Sequence, residues 1–255
     1  MAQAQASFFG RLSAVVAPHL LGKGTIFIRT MPRGLSRGLL PLLGAAFGFA
    51  TAVGAQPVAT CPPANFSTVQ GLDLKAFVSK RWYIQQQQAV AYLPASQNSC
   101  VYAEYKLLEK KTFWGYDVQV HNHAEDVESP HAVHDSGDII CAKVVDESAG
   151  KLEVGPCFLP TLLSGPYWVV AYSESEGYGL ISGGPPTKSA PGGCRTGTGT
   201  NGSGLWIFTN KQERDEALVQ KVRQIAADKG FDLSVLNDVD QTRCGSTSQS
   251  PLLVV

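Results

Sequence analysis

The sequence predicts an all-β domain followed by one α-helix, and three observations predict it. Between Trp82 and Thr209, eight short segments rich in β-branched and aromatic residues follow one another at hairpin spacing. No helical period interrupts them, and the breaks carry turn-forming residues: Pro94, Gly115, Ser129-Pro130, Gly150, Gly165-Pro166, Gly177 and Gly183-Gly184-Pro185-Pro186. Such a series folds either as a sandwich or as an up-and-down barrel.

In chain order the first element is a leader. Residues 1–72 contain no Asp or Glu, and five basic residues precede Ala55 (Arg11, Lys23, Arg29, Arg33, Arg37). Arg33 and Arg37 stand before an apolar run from Leu39 to Ala50, followed by Val53-Gly54-Ala55. That order is a signal segment cleaved after Ala55, so residues 1–55 are a targeting leader. The run is too short and too rich in Gly and Ala for a membrane anchor, which needs about 20 strongly apolar residues. From Met31 onward it reads as a secretory signal. Residues 1–30, basic and free of acids, also fit a transit segment, in which case the destination is a thylakoid lumen.

The mature chain opens with a short helical turn over Leu72 to Phe77. The strands then run Trp82–Ala89, Cys100–Leu108, Tyr116–His123, Ala132–Val145, Lys151–Phe158, Tyr167–Ser173, Tyr178–Ser182 and Leu205–Thr209. After the last strand, Asn210-Lys211-Gln212-Glu213 has the spacing of a capping box. Leu218, Val222 and Ile225 form one apolar stripe, and Gly230 supplies the stop. A helix with a single apolar stripe has to lie against the outside of the sheet. Residues 245–255 read as a disordered tail, which leaves 56–244 as the folded domain.

Composition narrows the function. The chain carries 21 Lys+Arg against 21 Asp+Glu; without the leader the balance is 16 − 21 = −5, which leaves no basic surplus for nucleic acid. All six cysteines lie beyond Ala55, and an even number in an exported chain argues for three disulfides. The nearest two, Cys141 and Cys157, have 15 residues between them, so no zinc-type pair and no metal site is expected. Asn65-Phe66-Ser67 and Asn201-Gly202-Ser203 are glycosylation sequons if the route is the endoplasmic reticulum. Gly197 to Gly202 spells G-x-G-x-x-G, but it runs into a strand rather than a helix, so it is a loop. His121, His123, His131 and His134 sit among acids, the composition of a solvated rim that could also sense pH.

Three segments resemble the lipocalin family, and more narrowly its apolipoprotein D and bacterial branch. They are Phe77-Val78-Ser79-Lys80-Arg81-Trp82-Tyr83-Ile84, then Gly165 to Tyr172 with Tyr178 to Gly183, then Leu205-Trp206-Ile207-Phe208-Thr209 leading to the helix and Gly230-Phe231-Asp232-Leu233. The sequence departs from the pattern with Lys80 in place of the usual Gly and Asn210 in place of a basic residue. The resemblance implies an eight-stranded antiparallel up-and-down barrel with Trp82 at its floor and the C-terminal helix packed outside. It also implies disulfides Cys100–Cys244 and Cys61–Cys194, leaving Cys141–Cys157 by elimination.

The barrel interior would then hold one small hydrophobic ligand. Strand alternation puts Trp82, Ile84, Gln86 and Gln88 on one face of their strand, and Val118, Val120 and Asn122 on one face of theirs. By the resemblance, Tyr105, Asn122 and Tyr167 fall among the pocket walls. The expected function is carriage of a fatty acid, lysolipid, sterol, retinoid or carotenoid by a monomer or weak dimer with transient membrane contact and no cofactor. The alternative is an enzyme acting on a lipophilic substrate, as in violaxanthin de-epoxidase. That enzyme's cysteine-rich and acidic flanking regions have no counterpart here, and no catalytic residue is expected.

Overall fold

The structure, a computed structural model, describes residues 60–129 and 132–244. The leader, the tail and His131 lie outside the described residues. The chain opens with helix α1 (Leu74–Val78), whose N-terminus is capped by Asp73 Oδ1 accepting from the Ala76 amide at 2.9 Å. Eight antiparallel strands follow around a barrel. They are β1 (Trp82–Gln88), β2 (Ser99–Leu107), β3 (Val118–Glu125), a fourth position shared by β4 (Val133–Asp135) and β5 (Ile140–Asp146), β6 (Lys151–Pro156), β7 (Gly165–Ser173), β8 (Tyr178–Ser182) and, after a hairpin of β9 (Lys188–Ala190) and β10 (Gly193–Arg195), β11 (Leu205–Thr209). Pairing of β1 with β11, Tyr83 opposite Thr209, closes the sheet on itself. Helix α2 (Glu216–Asp228) and strand β12 (Leu236–Asp238) complete the fold, β12 pairing with the far half of β1.

Alternation sorts the side chains into two cores. Inside the barrel lie Val101, Ala103 and Tyr105 of β2, Val118 and Val120 of β3, Ile140 and Ala142 of β5, and Trp206 and Phe208 of β11. The opposite faces of β8 and β11, Leu180, Leu205 and Ile207, meet Val222 and Ala226 of α2 in a second core on the outside. Helix α2 is therefore held by tertiary burial of one face rather than by propensity alone.

Several local expectations need correction. The strand expected over Ala132–Val145 is broken, because Ser136 and Gly137 leave the ladder: Ser136 Oγ accepts from the Asn122 amide at 2.8 Å and Gly137 sits at φ 53°, where a side chain would be strained. The capping box at Asn210–Glu213 is not used. The Gln85 carboxamide Nε2 donates to the carbonyls of Lys211 (3.3 Å) and Gln212 (3.2 Å), holding that segment out of a helix. The helix starts later, where Asp215 Oδ1 accepts from the Leu218 amide at 3.1 Å. Its buried stripe is Val219, Val222 and Ala226, with Leu218 and Ile225 at the flanks. The Gly-rich segment between β8 and β11, residues 183–204, contains the β9–β10 hairpin, which went unread, and β12 went unread because it is a three-residue strand.

The six cysteines form three disulfides: Cys61–Cys194, Cys100–Cys244 and Cys141–Cys157. The second fastens the end of the described chain beside a gap between β1 and β2, which pair only at Trp82–Ala103 and Tyr83–Tyr102. Gln241 fills that gap: its Nε2 donates to the Ile84 carbonyl at 2.9 Å and to the Val101 carbonyl at 2.8 Å. Two backbone acceptors that no strand satisfies are thereby paired in the interior.

Candidate functional site

One end of the barrel is filled. Trp82 is fully buried, its indole N–H donates to the Phe77 carbonyl of α1 at 2.8 Å, and its ring packs against Phe77, Tyr172 and Phe208. Leu74, Phe77 and Val78 of α1 belong to the same interior core. Above this floor the barrel encloses a cavity of about 660 Å³, within the range of small-molecule sites, about 300–1,000 Å³.

The cavity wall is mainly apolar: Ile84, Val101, Ala103, Val120, Trp206 and Phe208. Each comes from the inward register of its strand. Leu93 and Tyr92 from the β1–β2 loop add to the wall, and that loop is pinned by the Ala91 amide donating to Thr198 O at 3.0 Å. Deep in the wall, the hydroxyls of Tyr105 and Tyr167 meet at 2.7 Å. Burial pushes both phenols well above their ordinary pKa, so both stay protonated. Two hydroxyl protons share one mutual hydrogen bond, so one O–H remains to donate elsewhere.

The rim is polar and charged. Asn122, His123, His134, Asp135 and Ser136 all reach the cavity. Behind them runs a chain of charges: Arg81 bonds Glu104 at 2.6 Å, Glu104 bonds His121 Nδ1 at 3.2 Å, and His121 Nε2 bonds Asp135 at 2.8 Å. The hydrogen bond to Glu104, working against burial and joined by Asp135, raises the His121 pKa to about 9. Burial alone would raise the Glu104 carboxyl, but hydrogen bonds from His121 and Arg81 hold it below its ordinary range. His123 stacks on Tyr102 with ring centres 4.6 Å apart, and Arg81 lies over the same Tyr102 ring at 4.3 Å. His134 bonds Asp126 at 2.9 Å. Among the described residues, no group of three or more His, Cys, Asp or Glu side chains is placed to hold a metal ion.

Of the residues singled out in the sequence, Ile84, Tyr105, Val120, Asn122 and Tyr167 line the cavity. Val118 is fully buried on the same face but belongs to the packed core rather than the cavity wall. Gln86 is off the cavity altogether. A β-bulge at Gln85 shifts the register between Ile84–Phe208 and Gln86–Ile207, so the alternation inverts and Gln87 takes the inward position. Gln86 instead bonds Asp238 of β12 at 2.7 Å and Arg223 of α2 at 2.7 Å. Gln88 is occupied by Gly197 O and Thr196 of the Gly-rich segment. Asn65 and Asn201 are both exposed. Sequence reasoning missed Trp206 and Phe208, although their spacing on one strand face was a usable signal. It also missed the β1–β2 loop, which carries no periodic signal at all.

No family model matches this chain, and no curated protein matches it. Among solved structures, the chain is similar to the major allergen Per a 4 from cockroaches, with 17% identity, a TM-score of 0.47, and 71% of this chain and 95% of that chain covered. It is similar to insecticyanin from the tobacco hornworm Manduca sexta, with 14% identity, a TM-score of 0.47, and 74% and 89% covered. It is also similar to lobster apocrustacyanin A1, with 11% identity, a TM-score of 0.44, and 75% and 94% covered.

Proposed function

We propose that this chain is a lipocalin, of the apolipoprotein D and bacterial type, that holds one small hydrophobic molecule in its barrel and carries it outside the cytoplasm. The observation that supports the reading is the cavity of about 660 Å³ above a floor sealed by Trp82, with an apolar wall and few polar groups. Its chemistry is burial: each CH₂ taken from water contributes about 0.8 kcal/mol, and a few hydrogen bonds fix orientation. The spare O–H of the Tyr105–Tyr167 pair favours a ligand with a single acceptor oxygen at its buried end. The acidic and basic side chains of the rim leave the outer end of the ligand in a polar setting. Three disulfides support an oxidising compartment.

The test is native mass spectrometry and organic extraction of the protein purified from its own cells without reductant. The expected result is about one lipophilic molecule per chain, in keeping with a single small-ligand cavity. A protein that arrives empty, and then takes up none of a panel of fluorescent lipophilic probes, overturns the carrier reading. Ala103→Trp, which projects a large ring into the cavity from β2, should abolish probe uptake while leaving the far-ultraviolet spectrum unchanged.

A further inference from the structure

Two connections carry the three most exposed large apolar side chains among the described residues, Leu162, Phe113 and Phe158. The β2–β3 turn presents Phe113 at 91% exposure and Trp114 at 40%, and the β6–β7 loop presents Phe158 at 65%, Leu162 at 92% and Leu163 at 53%. The two connections are bonded to each other: Tyr116, fully buried behind the turn, shares a hydrogen bond with Ser164 Oγ at 2.8 Å and donates to the Leu159 carbonyl at 3.2 Å. The Cys141–Cys157 disulfide anchors the start of the second loop to β5. Phe113 and Trp114 pack edge-on at 4.9 Å. Little ordering entropy remains to be lost on docking, because both loops are already held.

We propose that these two loops together dock the protein onto an anionic lipid surface. A side chain nine-tenths exposed stands clear of the protein, a shape that enters a soft lipid layer, whereas a rigid partner needs a matching hollow. Aromatic rings favour the level of the headgroups, and flanking lysines meet anionic lipid. The charges are placed accordingly. Lys106, Lys110 and Lys111 share a segment with Phe113 and Trp114 whose acids are Glu109 and Asp117, a net of one positive charge, and residues 157–164 carry no charge. Asp117 pairs with Lys111 at 2.7 Å and accepts from the Val144 amide at 2.9 Å, which leaves Lys106 and Lys110 against Glu109. This basic, aromatic spot contrasts with a chain that is net acidic beyond the leader. Leu163 O also accepts from Asn201 Nδ2 at 3.4 Å, which links the docking loop to the Gly-rich segment that pins the β1–β2 loop at the cavity. The docking inference stands whatever the cavity holds.

Co-sedimentation of the purified disulfide-bonded protein with vesicles of phosphatidylcholine, with and without phosphatidylglycerol, tests it. The wild type should bind the anionic vesicles, and Phe113→Ser with Leu162→Ser should weaken binding by about tenfold or more, since apolar burial and charge attraction act together. Lys110→Glu should remove the preference for phosphatidylglycerol. Both variants change only exposed side chains, so unaltered cavity-probe uptake and circular dichroism verify that they fold. Wild-type protein that stays in the supernatant with both vesicle types refutes the proposal, as does equal binding by the serine variant. A dimer in sedimentation velocity that the serine variant dissolves, without vesicle binding, would assign the loops to a second copy of the chain and overturn the lipid reading.

Discussion

Replacing Cys100 and Cys244 together by alanine should cost far more stability than replacing Cys141 and Cys157. The first disulfide closes a loop with a sequence separation of 144, the second one of only 16. On chain-entropy grounds, cross-links of those sizes stabilise by about 5 and about 3 kcal/mol respectively, because the longer loop removes more freedom from the unfolded chain. The native structures should differ in the same direction. Cys141 and Cys157 join β5 to the end of β6, strands already paired along their length. Cys100 and Cys244 hold the segment whose Gln241 satisfies Ile84 and Val101, both of which line the cavity. Equilibrium urea unfolding, followed by tryptophan fluorescence without reductant, measures both. Each variant should also show a steeper denaturant slope, since its unfolded state is less constrained. The reasoning is refuted if the Cys141/Cys157 variant loses as much as the Cys100/Cys244 variant. A loss below about 1 kcal/mol for the longer cross-link would refute it as well.

Two further perturbations follow from single side chains. Gln241→Leu leaves the Ile84 and Val101 carbonyls buried without a donor, and at about 1–3 kcal/mol for each unsatisfied group the expected loss is about 2–6 kcal/mol by urea unfolding; a change under about 1 kcal/mol would show that water replaces the carboxamide. His121 supplies a pH dependence. Its folded pKa is raised from 6.5 to about 9, so its stabilisation is complete below pH 6.5 and is lost as the pH rises through about 9. Because the ring is about a third exposed, solvent screening reduces the effect to about 1 kcal/mol. His121→Gln should therefore flatten the decline in melting temperature between neutral and alkaline pH, and a wild-type decline that persists unchanged in the variant would remove His121 as its cause.

The readable part of this protein is local. Alternating apolar residues with Gly and Pro between them gave the strands, since a strand exposes its pattern at every second residue whatever it pairs with. Gly230, at φ 81°, ends α2 as its position after the apolar stripe requires. What local pattern could not give is where that pattern slips. The bulge at Gln85 costs no apolar residue, so nothing in Gln85-Gln86-Gln87-Gln88 marks which amide turns inward; the choice comes from β12, Arg223 and the carbonyls after β11, all more than a hundred residues away. The break between β4 and β5 is of the same kind, set by a hydroxyl that takes over a ladder position from a backbone carbonyl.

By itself, then, the sequence determined the eight strand positions of the barrel, most of their apolar faces, the polarity of the chain ends and a set of cysteines suited to an oxidising compartment, but not the β9–β10 hairpin or β12. The strand pattern was equally compatible with a sandwich, because the side-chain period is the same in both. Only the tertiary structure decided that Tyr83 meets Thr209 and closes the sheet. Closure also left a cavity between the Trp82 floor and the rim of His123 and Asp135. The physical reason is that closure and cavity volume depend on pairings across the whole chain, on bulges that re-aim side chains and on loops with no period, none of which leaves a mark within a few residues.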